Sequence, residues 1–365
     1  MNTEIQTSHF APKTGAPAEY QVVISGTDPS LDFEAQLKAV TVACAEASAG
    51  RTVHFRRFFL SDAANQAPLL EQALQALPPA PTSLVQQEPL DGTRIALWMY
   101  CTDPLACLDG IPTHNGYSHH WSGTLVSPGE NACQQMDGIF RDYDATLGRK
   151  GLSLAHDTIR TWIFVRDVDT NYAGMVTGRK EYFHRAGLTP DTHYIASTGI
   201  EGRHPDSRKL VTMDALSIGG LQEGQIAYLQ ARDHLNPTID YGVTFERGTT
   251  VTYGDRRHTF ISGTASIDAR GNVLYPGDIA AQTRRMLKNI TALLAEAGAG
   301  LNDLAMAIVY LRDPADYACV KRIVSESCPG IRPLYVHGPV CRPAWLVEME
   351  CIAVTPAGNK AFRDF

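Results

Sequence analysis

No apolar stretch in this sequence approaches the length needed to span a bilayer, so no transmembrane helix is expected. A charged-then-apolar leader is also missing. The eight cysteines, at 44, 101, 107, 133, 319, 328, 341 and 351, form no CxxC pair, and together these absences point to reduced thiols in a cytoplasm. Basic charge is not in excess: 32 Lys and Arg against 39 Asp and Glu give a net charge of -7, which leaves no electrostatic footprint for nucleic acid. Neither HExxH nor a paired Cys/His spacing occurs, and the adjacent His119 and His120 cannot both face one site on a strand, so no metal is expected. Gly-rich segments such as Ser217-Ile218-Gly219-Gly220 lack the strand-GxGxxG-helix context of a dinucleotide site, and there is no GxSxG elbow. No cofactor is implied. What is present is 365 residues, 44% of them hydrophobic, enough to bury a sizeable core in two or three fused modules.

One pattern of elements runs along the chain three times. In the third copy, strand His258 to Gly263 leads to a helix with Ile279, Thr283, Met286, Leu287, Ile290 and Leu294 on one face, the spacing of a buried stripe. Gly298 and Gly300 stop that helix. Strand Ala307 to Asp313 follows, then a helix from Ala315 to about Ser327, then the closing strand Leu346 to Ile352. The second copy repeats the order with Ala132 to Met136, Thr161 to Asp167 and Leu210 to Ala215. The first, most eroded copy reads Glu34 to Leu37, His54 to Asp62 and Arg94 to Met99. Aligned on their closing strands, Glu348 falls opposite Thr212 and Leu97, so only the last copy closes on a carboxylate. Linker-like composition near Thr102 to Gly116 and Gly219 to Thr238 sets expected modules of 1–112, 113–235 and 236–365. The first twenty or so residues read as a loose tail, and Gly358 to Phe365 as an unstructured end.

The third copy resembles the Rid (YjgF) family over nearly its whole length. The matching stretches are Phe260-Ile261-Ser262-Gly263, Gly277 to Thr283, Ala295-Glu296-Ala297-Gly298, Tyr310-Leu311-Arg312-Asp313 and Leu346-Val347-Glu348-Met349-Glu350. Five separated motifs in the family's order make the signal specific. Small Rid proteins grip a substrate carboxylate with an arginine shortly after a proline; here Pro333-Leu334-Tyr335 occupies that stretch, which disfavours imine deamination. The full chain is similar to the chorismatases, on the stretches His193 to Arg203, Tyr241 to Arg247 and Val340-Cys341-Arg342-Pro343 leading to Glu348.

The resemblance implies an α+β fold of tandem Rid/YjgF-like (chorismate-mutase-like) repeats packed as a covalent pseudo-trimer, and a chain that is a cytoplasmic monomer. It implies conversion of chorismate to 3-hydroxybenzoate, with 4-hydroxybenzoate as a second candidate product, and release of pyruvate. Hydrolysis to a dihydroxycyclohexadiene carboxylate, Rid-type imine deamination and metabolite binding without turnover are the alternatives. Chorismate carries two carboxylates, a ring hydroxyl and an enol ether, so its enzyme needs cationic clamps and one proton donor. Arg203 and Arg312 are the expected clamps, because arginine forks match carboxylates bidentately. Tyr194, Tyr241 and Gly263 are further expected substrate contacts, although the tyrosines also suit a core. Glu348, between Val347 and Met349, is the expected general acid, its pKa raised by burial; the competing reading is a solvent-facing residue of an alternating strand. Cys341, seven positions earlier, resembles the hydroxybenzoate-forming branch and would act by excluding water or as a thiolate; the alternative is a packing residue.

Overall fold

A computed structural model describes residues 3–238 and 242–365 of the chain. Among the described residues the strands form three sheets, one per copy. The first contains β1 (Glu4–Phe10), β2 (Glu19–Ser25), β3 (Thr52–Leu60), β4 (Thr82–Gln86) and β5 (Ile95–Thr102), with α1 (Phe33–Ser48) and α2 (Ala63–Leu74). The second contains β6 (Ala106–Leu108), β7 (Ile111–His114), β8 (Tyr117–Leu125), β9 (Thr158–Val165), β10 (Ala196–Glu201) and β11 (Val211–Gly219). Its helices are α3 (Ala132–Gly148), the single turn α4 (Leu154–Asp157) and α5 (Val168–Arg185). The third contains β12 (Ile226–Leu229), β13 (Gly248–Thr252), β14 (Arg257–Ala265), β15 (Leu304–Leu311), β16 (Leu334–His337) and β17 (Val347–Thr355), with α6 (Ile279–Glu296) and α7 (Tyr317–Ser327). The fold is α+β, three units of similar topology in tandem.

Local chemistry explains the boundaries. Asp32, Asn131 and Asp278 cap α1, α3 and α6 by accepting the backbone N–H three residues on. Gly298, at φ +70°, provides the left-handed residue that ends α6. Asp167 has no capping side-chain bond of its own; the carboxylate of Glu201, at the end of β10, instead accepts Asp167 N (3.1 Å) and Val168 N (2.6 Å), placing negative charge at the start of α5.

The closing strands β5, β11 and β17 run through the centre of their sheets. Ile95, Val211 and Val347 pair with Leu60, Val165 and Leu311, the last residues of β3, β9 and β15. The next residues are Ala96, Thr212 and Glu348, so the first-copy equivalent of Glu348 is Ala96 and not Leu97. Two residues further on, Trp98, Asp214 and Glu350 face the interior shared by the copies. Rings from the first two copies, Phe55, Trp98, Trp121 and Trp162, pack there, with Arg57 bonded to Asp214 at 2.8 Å and fully buried.

Three terminal and linker expectations are corrected. Residues 4–10 form β1, paired along its whole length with β2 from Glu4↔Ser25 to Phe10↔Glu19. The C-terminal segment packs down: Phe365 is buried, its N–H bonds Asp255 at 2.7 Å, and its ring meets His119, His258 and Tyr253 edge-on. The linker-like stretches contain the hairpin β6–β7, which extends the second sheet, and β12, which edges the third. The first sheet ends with β5 and the second starts with β6, and the second ends with β11 and the third starts with β12; strands of three and four residues are too short for an alternating pattern to stand out from a loop.

Candidate active site

A small cavity lies where the second copy meets the third. The second copy contributes Tyr172 and Arg179 from α5 and Ser197 and Gly199 from β10; the third contributes Phe245, Arg247, Gly263, Ala265, Ile267, Cys341, Trp345 and Glu348. Edge strand β10 is stitched to the third copy by Ser197 N donating to Ser262 Oγ (2.9 Å) and by Gly263 N donating to Thr198 Oγ1 (3.0 Å). A Cβ at Gly263 would overlap Glu348 Oε1, so a larger residue there would displace the carboxyl.

Glu348 is 5% exposed. Burial, reinforced by the negative charge of Glu350, pushes its carboxyl up to about 8, although Arg160 and Arg247 pull the other way. Such a group holds its proton at neutral pH and can give it away. Cys341 is half-buried and accepts a side-chain hydrogen bond from Tyr172; burial first, and the Glu348 charge second, push its thiol up to about 12. Its resting form at neutral pH is therefore the thiol. Arg179 and Arg247 are buried and flank the Phe245 ring, their guanidinium carbons 5.9 and 5.5 Å from its centroid. Arg179 Nε donates to Thr244 Oγ1 (3.2 Å), and Arg247 Nη2 to Asn236 O (3.0 Å).

The structure thus brings Glu348, Cys341 and Gly263 together. Tyr194 lines an adjoining pocket of ≈ 140 Å³ that shares Phe245 and Arg247 with the cavity, its ring stacked on Phe183. Tyr241 lies outside the described residues. Arg203 and Arg312 are elsewhere. Arg203 bonds Asp167 (2.8 Å) and Glu201 (3.2 Å) beyond the end of β10. Arg312 pairs with Asp169 and donates to Val340 O (2.7 Å). Both arginines sit past the ends of strands, where carboxylates of the second copy hold them. Arg179 and Arg247 are the cations at the cavity. The sequence held a signal for each: Met175, Arg179 and Phe183 share one helical face, so an arginine interrupts an apolar stripe, and Arg247 ends the Tyr241 to Arg247 stretch.

Register also moves the Rid comparison to a different cleft. Tyr335 pairs with Val309, whose second-copy equivalent Ile163 pairs with Gly199. Tyr335 therefore lines a roomier cavity, ≈ 500 Å³, between the third and first copies, where the equivalent closing-strand residue is Ala96. The residue of that position at the Glu348 cavity is Gly199, which leaves room there, since a Cβ would come within 3.2 Å of Tyr172 and Met175.

Residues 250–355 match the Endoribonuclease L-PSP family. A RutC family protein of Pyrococcus abyssi is 41% identical over 96 residues, 26% of this chain and 76% of that protein. The chain belongs, through its third copy, to this Rid (YjgF, RutC) family. Across its length it is similar to a chorismatase crystal structure, with a TM-score of 0.65 over 95% of this chain and 100% of that one at 18% identity; the two share a fold. RidA of an Antarctic Psychrobacter is 22% identical and aligns with 35% of this chain and 99% of its own length, at a TM-score of 0.30. No helix among the described residues is long and apolar enough to cross a membrane.

Proposed function

We propose that the chain is a chorismatase that converts chorismate to 3-hydroxybenzoate and pyruvate, with Glu348 as the general acid. The observation that carries this reading is a buried carboxyl, raised to about 8, in a cavity with two buried arginines. Glu348 donates its proton to the methylene carbon of the enol ether, generating an oxocarbenium ion. The ring hydroxyl then attacks the neighbouring ring carbon as that carbon's bond to the ether oxygen breaks, which frees pyruvate, and the hydroxyl proton passes to the Glu348 carboxylate. The resulting epoxide opens by breaking the oxygen's original bond to the ring, and loss of the proton from the carbon that keeps the oxygen, with protonation of that oxygen, gives aromatic 3-hydroxybenzoate. All atoms of chorismate end in the two products and no water is consumed. Arg179 and Arg247 clamp the carboxylates, the role first assigned to Arg203 and Arg312. Cys341, as a neutral thiol beside the acid, fills space that water would occupy.

The cavity of ≈ 30 Å³ holds about one water, so substrate binding opens it toward the adjoining pocket through the shared Phe245 and Arg247. Tyr194 then comes within the enlarged site. Incubation with chorismate and chromatography of the products tests the reading. Hydroxybenzoate with equimolar pyruvate is expected. A diene diol would mean that water captures the oxocarbenium ion, and binding without turnover would leave a metabolite-binding protein. If chorismate is untouched and an imino acid is hydrolysed, the chain is a deaminase.

A further inference from the structure

Glu350 lies two residues beyond Glu348 on β17, so both side chains leave the same face of the strand. Glu350 is 1% exposed and held from the second copy on several sides. Arg160 Nη2 bonds its Oε2 at 2.8 Å, Trp162 Nε1 bonds its Oε1 at 2.9 Å, and the Thr198 hydroxyl donates to Oε2. Arg57 of the first copy is 3.8 Å from Oε1 but closer to Asp214, at 2.8 Å. The interior thus holds two guanidinium groups and two matching carboxylates: Arg57 with Asp214, and Arg160 with Glu350. Glu348 is the third carboxyl nearby: Arg160, the one cation of these two pairs that acts on it, is already bonded to Glu350, while Arg179 and Arg247 stand at the cavity itself. Thr198 also accepts the Gly263 N–H, so the group that holds Glu350 fixes the wall against which Glu348 rests.

We propose that Glu350 is a positioning residue for the reaction: by serving as the buried counter-ion of Arg160, it relieves Glu348 of that role and keeps the catalytic proton on it. This rests on the reading of Glu348 as general acid. The other charged or titratable groups facing Glu348 are Tyr172 and Arg179 from α5, Arg160 from β9, Arg247 from the segment before β13 and Cys341 from the loop before β17. Without the Glu350 charge, Arg160 loses its bonded counter-ion, and Glu348 becomes the anion that balances it.

The test is the pH dependence of kcat/KM for pyruvate release from chorismate. For wild type, activity falls on the alkaline side as Glu348 loses its proton. Glu350→Gln keeps the shape and one acceptor oxygen for Trp162 or Thr198 but removes the charge. Its alkaline limb is expected to move to lower pH by about one unit or more, with activity recovered in acid. Arg160→Gln is expected to move the limb the opposite way, and the double variant to return it near the wild-type position. Glu350→Asp, which keeps the charge, is expected to retain the wild-type limb. Folded Glu350→Gln with an unmoved limb, or with an equal loss of activity at every pH, overturns the proposal. Leaving Arg160 uncompensated can prevent folding; difference infrared spectra of wild type against Glu348→Gln then decide. A protonated Glu348 carboxyl band at pH 7 supports the proposal, and its absence overturns it. If Glu348→Gln is itself fully active, the acid assignment fails whatever Glu350 does.

Discussion

A carboxylic acid donates a proton at neutral pH only where its surroundings penalise the anion, and at Glu348 burial and the Glu350 charge do so. Glu348→Gln is expected to lower turnover by on the order of a hundredfold or more while substrate still binds; near-normal turnover would remove Glu348 from the mechanism. The same environment affects stability with a definite sign. The folded pKa, about 8, lies above the ordinary 4.5, so between these values the folded chain holds a proton that the unfolded chain has released. The destabilisation is absent below pH 4.5, grows through this window and is complete above pH 8. Glu348→Gln should therefore gain stability over wild type at pH 9, on the order of 5 kcal/mol, and little at pH 4, as denaturation at both pH values will show. Cys341→Val removes a neutral thiol at the same spot. If the thiol's work is to exclude water, the ratio of hydroxybenzoate to diene will change more than chorismate consumption does; a fixed ratio with a lowered Tm would make it a packing residue.

Among the secondary-structure elements, what was legible in the sequence is separated from what was not by how far each contact reaches along the chain. The third-copy strands and α6 were readable because periods of 2 and 3.6 are local. Glu348, Cys341 and Gly263 were readable as candidates because they lie in motifs of that copy. The arginines that line the cavity, Arg179 and Arg247, had only a weak local signal, since Arg179 comes from a helix of another copy and no local pattern says which strand end meets which carboxylate. Arg203 and Arg312 share motifs with the site yet are held by Asp167 and Asp169. The offset between Leu97 and Ala96 has a similar origin, because register is set by pairing with β3, which composition does not encode. If Arg179 and Arg247 are the clamps, Lys at either position keeps charge but loses the fork, and substrate affinity should fall by roughly 1 to 3 kcal/mol in calorimetry. Lys at Arg203 or Arg312 should leave affinity unchanged. Gly263→Ala tests how closely β14 presses on the acid: the new Cβ meets Glu348 Oε1, so turnover should fall at least tenfold with the fold retained by circular dichroism. Full activity would show that the carboxyl sits elsewhere when substrate is bound.

Across the whole molecule, the three copies use one another's edges. Leu84 N on β4 bonds Thr124 Oγ1 in the second copy (3.1 Å), and Ser197 N on β10 bonds Ser262 Oγ in the third (2.9 Å). The β16 edge is met by the first copy, where Leu90 N donates to Tyr335 O (3.0 Å) and His337 N to Glu88 O (2.8 Å). Buried charges tie the same junctions, Arg57 of the first copy to Asp214 of the second and Arg160 of the second to Glu350 of the third. One edge strand of each sheet is thus covered by the next copy, closing the ring within one chain. The opposite edges, β1, β6 and β12, are short or carry alternating polar side chains, which discourages edge pairing with another chain. Separate subunits would have to make these three junctions by association; covalent linkage makes them intramolecular and independent of concentration. The chain is therefore expected to be a monomer, with light scattering giving a mass near 39.8 kDa that stays constant on dilution. A stable trimer at low protein concentration would mean that surfaces other than these junctions drive assembly, and the ring closed by one chain would not be the functional unit.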